Sequence, residues 1–583
     1  MVKLKIDNME IDVPAGTTIL EAARRVKVDI PSLCYHRDLN PRAACGICVV
    51  KNKGKTLRSC CTAVEEGMDI TTRDPELIET RRTILKLVLS NHPSECLTCI
   101  RNDNCELRRL AATFGLREVP FDDITPSLKD RPIDTSTDCI HIDSRKCILC
   151  GRCVEACQVM QKIHALTYLD RGIKSRVGVA GGLPLGDSPC VRCGQCTAHC
   201  PTGALTEEDH SEQVWALLQN PDNHMVVQIA PAVRVALGEE FGLPVGTLVT
   251  GKIYTALRNM GFKVVFDTNF GADMTIMEEA TEFVKRFTNR ICLPMVTSCC
   301  PAWVNYMEKY FPDMIPHFST CKSPHQMVGV LAKTYYAQKA GIDPAKMKVI
   351  SIMPCTAKKM EITLPDMKSS GYQDVDYVLT TRELARMIKQ AGIEFTKLDD
   401  GVADSPLGEY SGAGTVFGYT GGVMIAALRT AHFLITGKEM AEEDLEIKPI
   451  LGIDKGVKEM TMRIDGSEIR IAVAHGIGHI AEVLERVRAA LAKGAEPPYH
   501  FVEVMTCPGG CVGGGGQPCE VTDEVRIARA NGLRQDDKQS KKRCSHQNAN
   551  IQKVYKDFLG APNGEKAHHL LHTHYTARPL YKK

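Results

Sequence analysis

The spacing Cys-x2-Cys-x2-Cys-x3-Cys occurs twice in this chain, at Cys147, Cys150, Cys153 and Cys157 and again at Cys190, Cys193, Cys196 and Cys200, with Pro201 after the second run. Nothing else in the sequence restricts the fold as strongly. Thiolates so spaced wrap a 4Fe–4S cube, and in paired runs the fourth cysteine of each serves the other cube. The repeat predicts one cube on Cys147, Cys150, Cys153 and Cys200, and another on Cys190, Cys193, Cys196 and Cys157. Residues 137–210 then form one two-cluster domain. The 583-residue chain carries 26 cysteines, many in such short runs. Disulfide frameworks belong to small secreted chains, so these runs point to metal in a reducing compartment.

Two more groups precede the repeat. Residues 1–78 open with strand-like alternation (Val2 to Asp7) and a helix from Thr18 to Val26, and then place Cys34, Cys45, Cys48 and Cys60 in the order C-x10-C-x2-C-x11-C, which departs from the C-x4-C-x2-C order of plant-type 2Fe–2S ferredoxins chiefly in its longer first gap. Cys61 adjoins Cys60 and is an alternative ligand. Residues 79–120 are helical on either side of His92, Cys96, Cys99 and Cys105. Three thiols and an imidazole suit zinc and a 4Fe–4S cube about equally on spacing alone. A glycine-rich stretch, Thr167 to Pro189, predicts a hairpin and a surface loop.

From residue 223 to 583 the pattern changes. Apolar runs (M-V-V-Q-I-A, K-V-V-F-D, L-P-M-V-T-S, K-V-I-S-I-M) alternate with helical segments and end in polar or cysteine-bearing loops. Such runs predict parallel sheet buried on both faces, with a site at the carboxyl ends of the strands. The expected fold is multidomain α/β and α+β: ferredoxin-like iron–sulfur domains first, then a large α/β domain with parallel sheets. Three segments of the latter share unusual chemistry: T-S-C-C-P-A-W (Thr297 to Trp303), M-P-C-T-A-K-K (Met353 to Lys359) and E-V-M-T-C-P-G-G-C-V-G-G-G-G-Q-P (Glu503 to Pro518). They supply Cys300, Cys355, Cys507 and Cys511 for one cluster, a second thiol at Cys299, a lysine at Lys358, and glycines expected to let backbone approach the cofactor.

These segments closely resemble the three signature motifs of the iron-only (di-iron, FeFe) hydrogenases. The resemblance implies an H-cluster: a 4Fe–4S cube on Cys300, Cys355, Cys507 and Cys511, with Cys511 bridging to a di-iron unit that carries CO, cyanide and a dithiolate. It implies reversible hydrogen oxidation and proton reduction. Cys299 passes protons to the dithiolate, and Glu279, Ser319, Glu282 and Arg286 continue the relay outward. The glutamates and arginine fall on one stripe of a helix running through M-T-I-M-E-E-A-T-E-F-V-K-R. Lys358 donates to a cyanide, Met353 and Met505 pack on the di-iron unit, and Pro231 (in A-P-A-V-R) and the segment S-P-H-Q from Ser323 line its pocket. Lys359 reads as an exposed lysine. The front of the chain resembles the 2Fe–2S and histidine-ligated 4Fe–4S domains of large hydrogenases and of the big iron–sulfur subunit of respiratory complex I; that register favours Cys60 over Cys61. Accessory cofactors are thus one 2Fe–2S and three 4Fe–4S clusters. The segment from Val554 to Tyr575 resembles the tail that wraps the catalytic domain. The six remaining cysteines (Cys61, Cys139, Cys292, Cys321, Cys519 and Cys544) are expected to be structural.

Composition excludes other classes. A net charge of +2 makes no electrostatic case for nucleic acid. No run approaches the ~18–20 apolar residues of a membrane span, so a cytoplasmic location is expected. No G-x-G-x-x-G stands between strand and helix, so electrons are expected to come through ferredoxin, or through a flavin- and NAD(P)-binding subunit with a small 2Fe–2S subunit, as in electron-bifurcating complexes. Maturation proteins must build the di-iron unit. Two alternatives share parts of the pattern: a non-catalytic complex-I-like electron-transfer subunit, and a hydrogenase-like iron–sulfur assembly factor. Cys299, Lys358 and Glu279 together argue against both.

Overall fold

The computed structural model describes residues 1–118, 130–297, 299–450 and 452–582. The end of the expected 79–120 module and Ser298 of T-S-C-C-P lie outside them. The chain falls into two compact units, Met1–Ser188 with His199–Thr206, and Pro189–Ala198 with Glu207–Lys583. The contact units cut across the second cysteine run: Cys190, Cys193 and Cys196 belong to the second, Cys157 and Cys200 to the first.

In the first unit, strands Val2–Ile6, Met9–Val13, Val49–Asn52, Lys55–Arg58 and Met68–Thr71 form one sheet. Helix Ile19–Arg25, capped by the Thr18 hydroxyl accepting from Glu21 N at 3.2 Å, buries Ile19, Leu20, Ala22 and Ala23 against Leu4, Ile6 and Val13. Helix Pro75–Ser90 starts at an Asp74 cap, which Lys51 reinforces at 2.8 Å. The glycine-rich stretch folds as expected, as hairpin Leu166–Leu169/Arg176–Val179 followed by short helical turns.

In the second unit the four apolar runs are strands. His224–Ile229 pairs in parallel with Val264–Asp267 and with Met347–Met353, and the latter with Tyr377–Thr380. A second sheet orders Met295–Val296, Phe501–Met505, Ser467–His475 and Val457–Ile464. Its last pair is antiparallel, an edge that the apolar-run pattern did not foretell because Val457–Ile464 alternates buried and exposed residues. Helix Thr268–Asn289 starts at an Asp267 cap and ends at Arg290 in the left-handed region (φ 54°). No helix among the described residues is long and apolar enough to cross a membrane.

The topology positions the motifs. Residues 230–231, 299–300, 354–358 and 506–511 each come after the carboxyl end of a parallel strand. There the chain turns away from the sheet, and backbone groups and side chains from several loops share one cavity.

Candidate active site

Each signature segment is held by its own local device. Cys300 is the residue before helix Pro301–Tyr310, whose first position is a proline needing no N–H partner. Trp303, fully buried, donates Nε1–H to Thr297 O at 3.1 Å and locks the Cys299–Cys300 loop from behind. The Cys355 loop is pinned by Thr356 Oγ1 donating to Arg192 O at 2.9 Å. In the third segment Glu503 is buried and accepts from the amides of Gly421 and Met424, both at 2.6 Å, at the start of helix Gly422–Thr436. Burial pushes its carboxyl up to about 7.

The glycine run corrects an expectation. Its glycines are required by other backbone as much as by a cofactor: a Cβ on Gly514 would lie 2.1 Å from Pro354 O, on Gly515 2.5 Å from Cys193 O, and on Gly516 3.0 Å from Cys355 N. Two buried arginines fix the same run. Arg382 donates to Gly515 O at 2.9 Å and Gln517 O at 2.5 Å while paired with Glu207 at 2.7 Å. Arg529 donates to Val512 O at 2.7 Å while paired with Glu239 at 2.7 Å.

Around one cavity of ≈ 80 Å³ stand Cys299, Cys300, Cys355, Cys507, Cys511 and Lys358, with Pro231, Met353, Met505, Pro324 and His325 among the lining. Burial pushes the thiols of Cys299, Cys507 and Cys511 well above the usual range. Thiols so costly to ionise in an apolar wall, Cys507 and Cys511 among them, fit an iron–sulfur cluster, whose irons would stabilise the thiolates. Lys358 is buried; it donates to Cys299 O at 3.2 Å and Glu361 Oε2 at 2.8 Å, and an ammonium has a third N–H for the cavity. Burial alone would raise Glu361, but Lys358 and His325 outweigh it and hold it at about 2. Burial, with Lys358, drives His325 to about 4, so its ring is neutral as it meets Glu361 Oε2 at 2.6 Å. Glu361 was not singled out from sequence; it stands three residues beyond Lys358, the spacing of one helical turn. Lys359 is not the exposed lysine expected: it is buried and donates to Val378 O at 2.6 Å and Glu383 at 2.9 Å.

On helix Thr268–Asn289 the expected stripe is present. Ser319 Oγ donates to Glu282 Oε2 at 3.1 Å, and Arg286 donates to Glu282 Oε1 at 2.6 Å. Glu279 is fully buried, close enough to Cys299 to raise that thiol further.

In the first unit, the Cys34 thiol touches those of Cys45 and Cys60, and Cys60 touches Cys48. Cys61 is exposed, its thiol turned to Arg58 O. Cys147, Cys150, Cys153 and Cys200 line one small cavity. His92 Nε2 is buried with no hydrogen-bond partner, which suits a ligand atom; Cys99 and Cys105 are neighbours, and Cys96 is exposed. Of the six cysteines expected to be structural, Cys61 and Cys292 are exposed.

Fold and pocket define an iron–sulfur oxidoreductase that works on a small substrate inside the protein. A family model described as the iron-only hydrogenase large subunit, C-terminal domain, matches residues 223–515, and the iron hydrogenase small subunit matches 523–578. A 2Fe–2S iron–sulfur cluster binding domain matches 1–75, the NADH-ubiquinone oxidoreductase-G iron–sulfur binding region 81–120, and a 4Fe–4S dicluster domain 146–204. The NADP-reducing hydrogenase subunit HndD of Solidesulfovibrio fructosivorans is 45% identical over 99% of this chain and 99% of its own. Iron hydrogenase 1 of Clostridium pasteurianum is 40% identical over 98% and 99%. A solved structure of a variant of the FeFe-hydrogenase HydA1 from Chlamydomonas reinhardtii is 39% identical with a TM-score of 0.55, over 64% of this chain and 100% of that one. The chain belongs to the iron-only hydrogenases. It is an oxidoreductase acting on hydrogen, with 2Fe–2S and 4Fe–4S domains ahead of the catalytic one.

Proposed function

We propose that the chain interconverts hydrogen with protons and electrons at an H-cluster held by Cys300, Cys355, Cys507 and Cys511, and relays electrons through one 2Fe–2S and three accessory 4Fe–4S clusters. The observation that carries this reading is the meeting of those thiols with Cys299 and Lys358 around one apolar cavity. When bound, the di-iron unit with its CO, cyanide and dithiolate supplies the hydrogen chemistry. The chain's own residues do the rest. Lys358 offers an ammonium N–H to an anionic ligand, its charge maintained by Glu361. Met353, Met505 and Pro231 exclude water. Cys299 holds a proton at its thiol and exchanges it with Glu279; Ser319 and Glu282 extend the route outward, with Arg286 bonded to Glu282 at its end.

Electrons would leave by ferredoxin or by a flavin- and NAD(P)-binding partner with a small 2Fe–2S subunit. The full-length likeness to a relative whose name makes it a subunit of an NADP-reducing hydrogenase supports the second. An electron-bifurcating assembly in the cytoplasm fits both. Expression without the di-iron maturation proteins tests the reading. That protein should carry about 18 irons in its clusters and evolve no hydrogen, and maturation should restore turnover. Full activity from unmatured protein, or zinc at His92, would overturn it.

A further inference from the structure

Arg286 ends the stripe that begins at Glu279, yet a guanidinium is a poor last member of a proton route. It keeps its proton across the working range of proteins and has no acceptor site. Arg286 is also fixed in place. Besides Glu282, it donates to the carbonyls of Phe318, Pro316 and Cys292 at 2.9, 3.2 and 3.4 Å. A proton at Glu282 needs a neighbour that can both take and release it.

An imidazole stands there, supplied by the segment matched to the small subunit. One side-chain atom each of Glu282, Cys321 and His572 lie within 4.8 Å of one another, the span of a single bridging water. His572 is buried. Its Nδ1 faces Thr320 Oγ1 at 2.8 Å and its Nε2 faces Glu278 Oε2 at 3.1 Å. With both nitrogens engaged the ring has no lone pair for a metal ion, but a ring bonded on both sides can accept a proton at one nitrogen and release one from the other. His568 stacks on it, centroids 4.5 Å apart and planes 10° from parallel, and is exposed to solvent. Burial and the imidazoles of His572 and His574 hold His568 below its ordinary value, which favours release of the proton to water. Cys321 takes no part, because burial and the surrounding carboxylates keep its thiol protonated.

We propose that protons enter and leave the relay through His572 and His568, and that Arg286 is a positioning residue that holds Glu282. The proposal rests on Glu282 being the outer carboxylate of the relay. Outward, the Glu282 carboxyl gives its proton to His572, leaving carboxylate and imidazolium. His572 passes a proton to His568 by way of water, because stacked rings present faces rather than nitrogens to each other, and His568 releases one to bulk water, so each donor is restored; inward transfer reverses the order. The groups facing His572 are Glu278, Glu282, Cys321 and His568, with Tyr555 behind Glu278 and His574 beside His568.

The matured holoenzyme, assayed in both directions with an artificial electron carrier across pH, tests this. His572→Gln keeps a donor for Glu278 but cannot shuttle a proton. It should lower turnover by about tenfold or more in each direction, flatten the pH profile around neutrality, and recover in part with added free imidazole. His568→Gln, on an exposed ring that folding does not need, should show the same signature more weakly. Iron content and the infrared bands of CO and cyanide should be unchanged in both. If both variants keep wild-type rates and pH profiles while Glu282→Gln is inactive, the histidine exit is wrong and the relay stands. If Glu282→Gln is itself fully active, the relay reading falls and this proposal with it.

Discussion

The two cysteine runs are twins in sequence and differ in what surrounds them. Each has glycine directly after its second cysteine, and both glycines are left-handed, Gly151 at φ 80° and Gly194 at φ 70°. In the first run the space beside Gly151 is filled by the ends of side chains, the Tyr168 hydroxyl and Arg42. In the second, Gly194 abuts Thr356 and the backbone of Gly515. The second run is tied further to the catalytic loops: Gln195 Nε2 donates to Gly513 O at 2.9 Å, Thr197 Oγ1 to Gly515 O at 3.2 Å, and Lys309 to Cys190 O at 3.1 Å. One spacing thus gives two cysteine runs of different standing: the contacts beside Gly151 stay within its own unit, whereas Gly194, Gln195 and Thr197 touch the loops of the signature segments.

This difference is open to test. The largest effect should come from cysteine substitution. Cys193→Ser should cut hydrogen turnover with an artificial dye by roughly 100-fold, because it disturbs loops that touch the catalytic ligands. Cys150→Ser should remove one cube and leave dye-linked turnover within about twofold, since none of its contacts lies in those loops. Equal losses, measured with iron counts on both proteins, would erase the distinction.

Next comes the buried arginine. Arg382→Met leaves the buried Glu207 carboxylate with only Arg386, at 3.4 Å, and frees two carbonyls of the glycine run, a loss of about 3 kcal/mol. Anaerobic thermal unfolding should show it in the transition of the catalytic unit alone; an unshifted transition would mean the pair is dispensable. The smallest effect separates the glycines. Each alanine variant meets backbone strain of about 1 kcal/mol or more. Gly151→Ala should cost little beyond that, because Arg42 can swing aside. Gly194→Ala should also lower activity roughly tenfold by pushing on Gly515. If Gly151→Ala proves the more damaging, the comparison is reversed.

Candidate cluster ligands stand out in sequence because metal geometry dictates local spacing: Cys147, Cys150 and Cys153 leave a signature within seven residues. The strands ahead of Cys300, Cys355 and Cys507 were legible because two buried faces demand unbroken apolar runs. The supports of the site were not. Glu207 and Arg382 are 175 residues apart, and their pairing has no local pattern. Lys359 looks like any surface lysine until a distant Glu383 meets it inside the protein. The glycine run was visible, but sequence cannot say whether backbone or cofactor lies against each glycine. The antiparallel edge at Val457–Ile464 was missed because its half-exposed alternation is weaker than a continuous apolar run.

Helix Thr268–Asn289 carries two fully buried carboxylates with partners late in the chain. Asp273 accepts from Ser411 and then from Ser545 at 2.8 Å and Asn548 at 3.0 Å, and Glu278 from Tyr555, from Asn563 at 2.7 Å and from His572 at 3.1 Å. On the ribosome, some 250 residues emerge between helix and partners. At roughly 5–20 residues per second the carboxylates wait many seconds for these partners. The helix cannot settle fully into its dry seat until residues 545–572 have emerged. The order of synthesis therefore acts as a clock: it keeps the active-site wall loose until that stretch has docked, and tightens it only then.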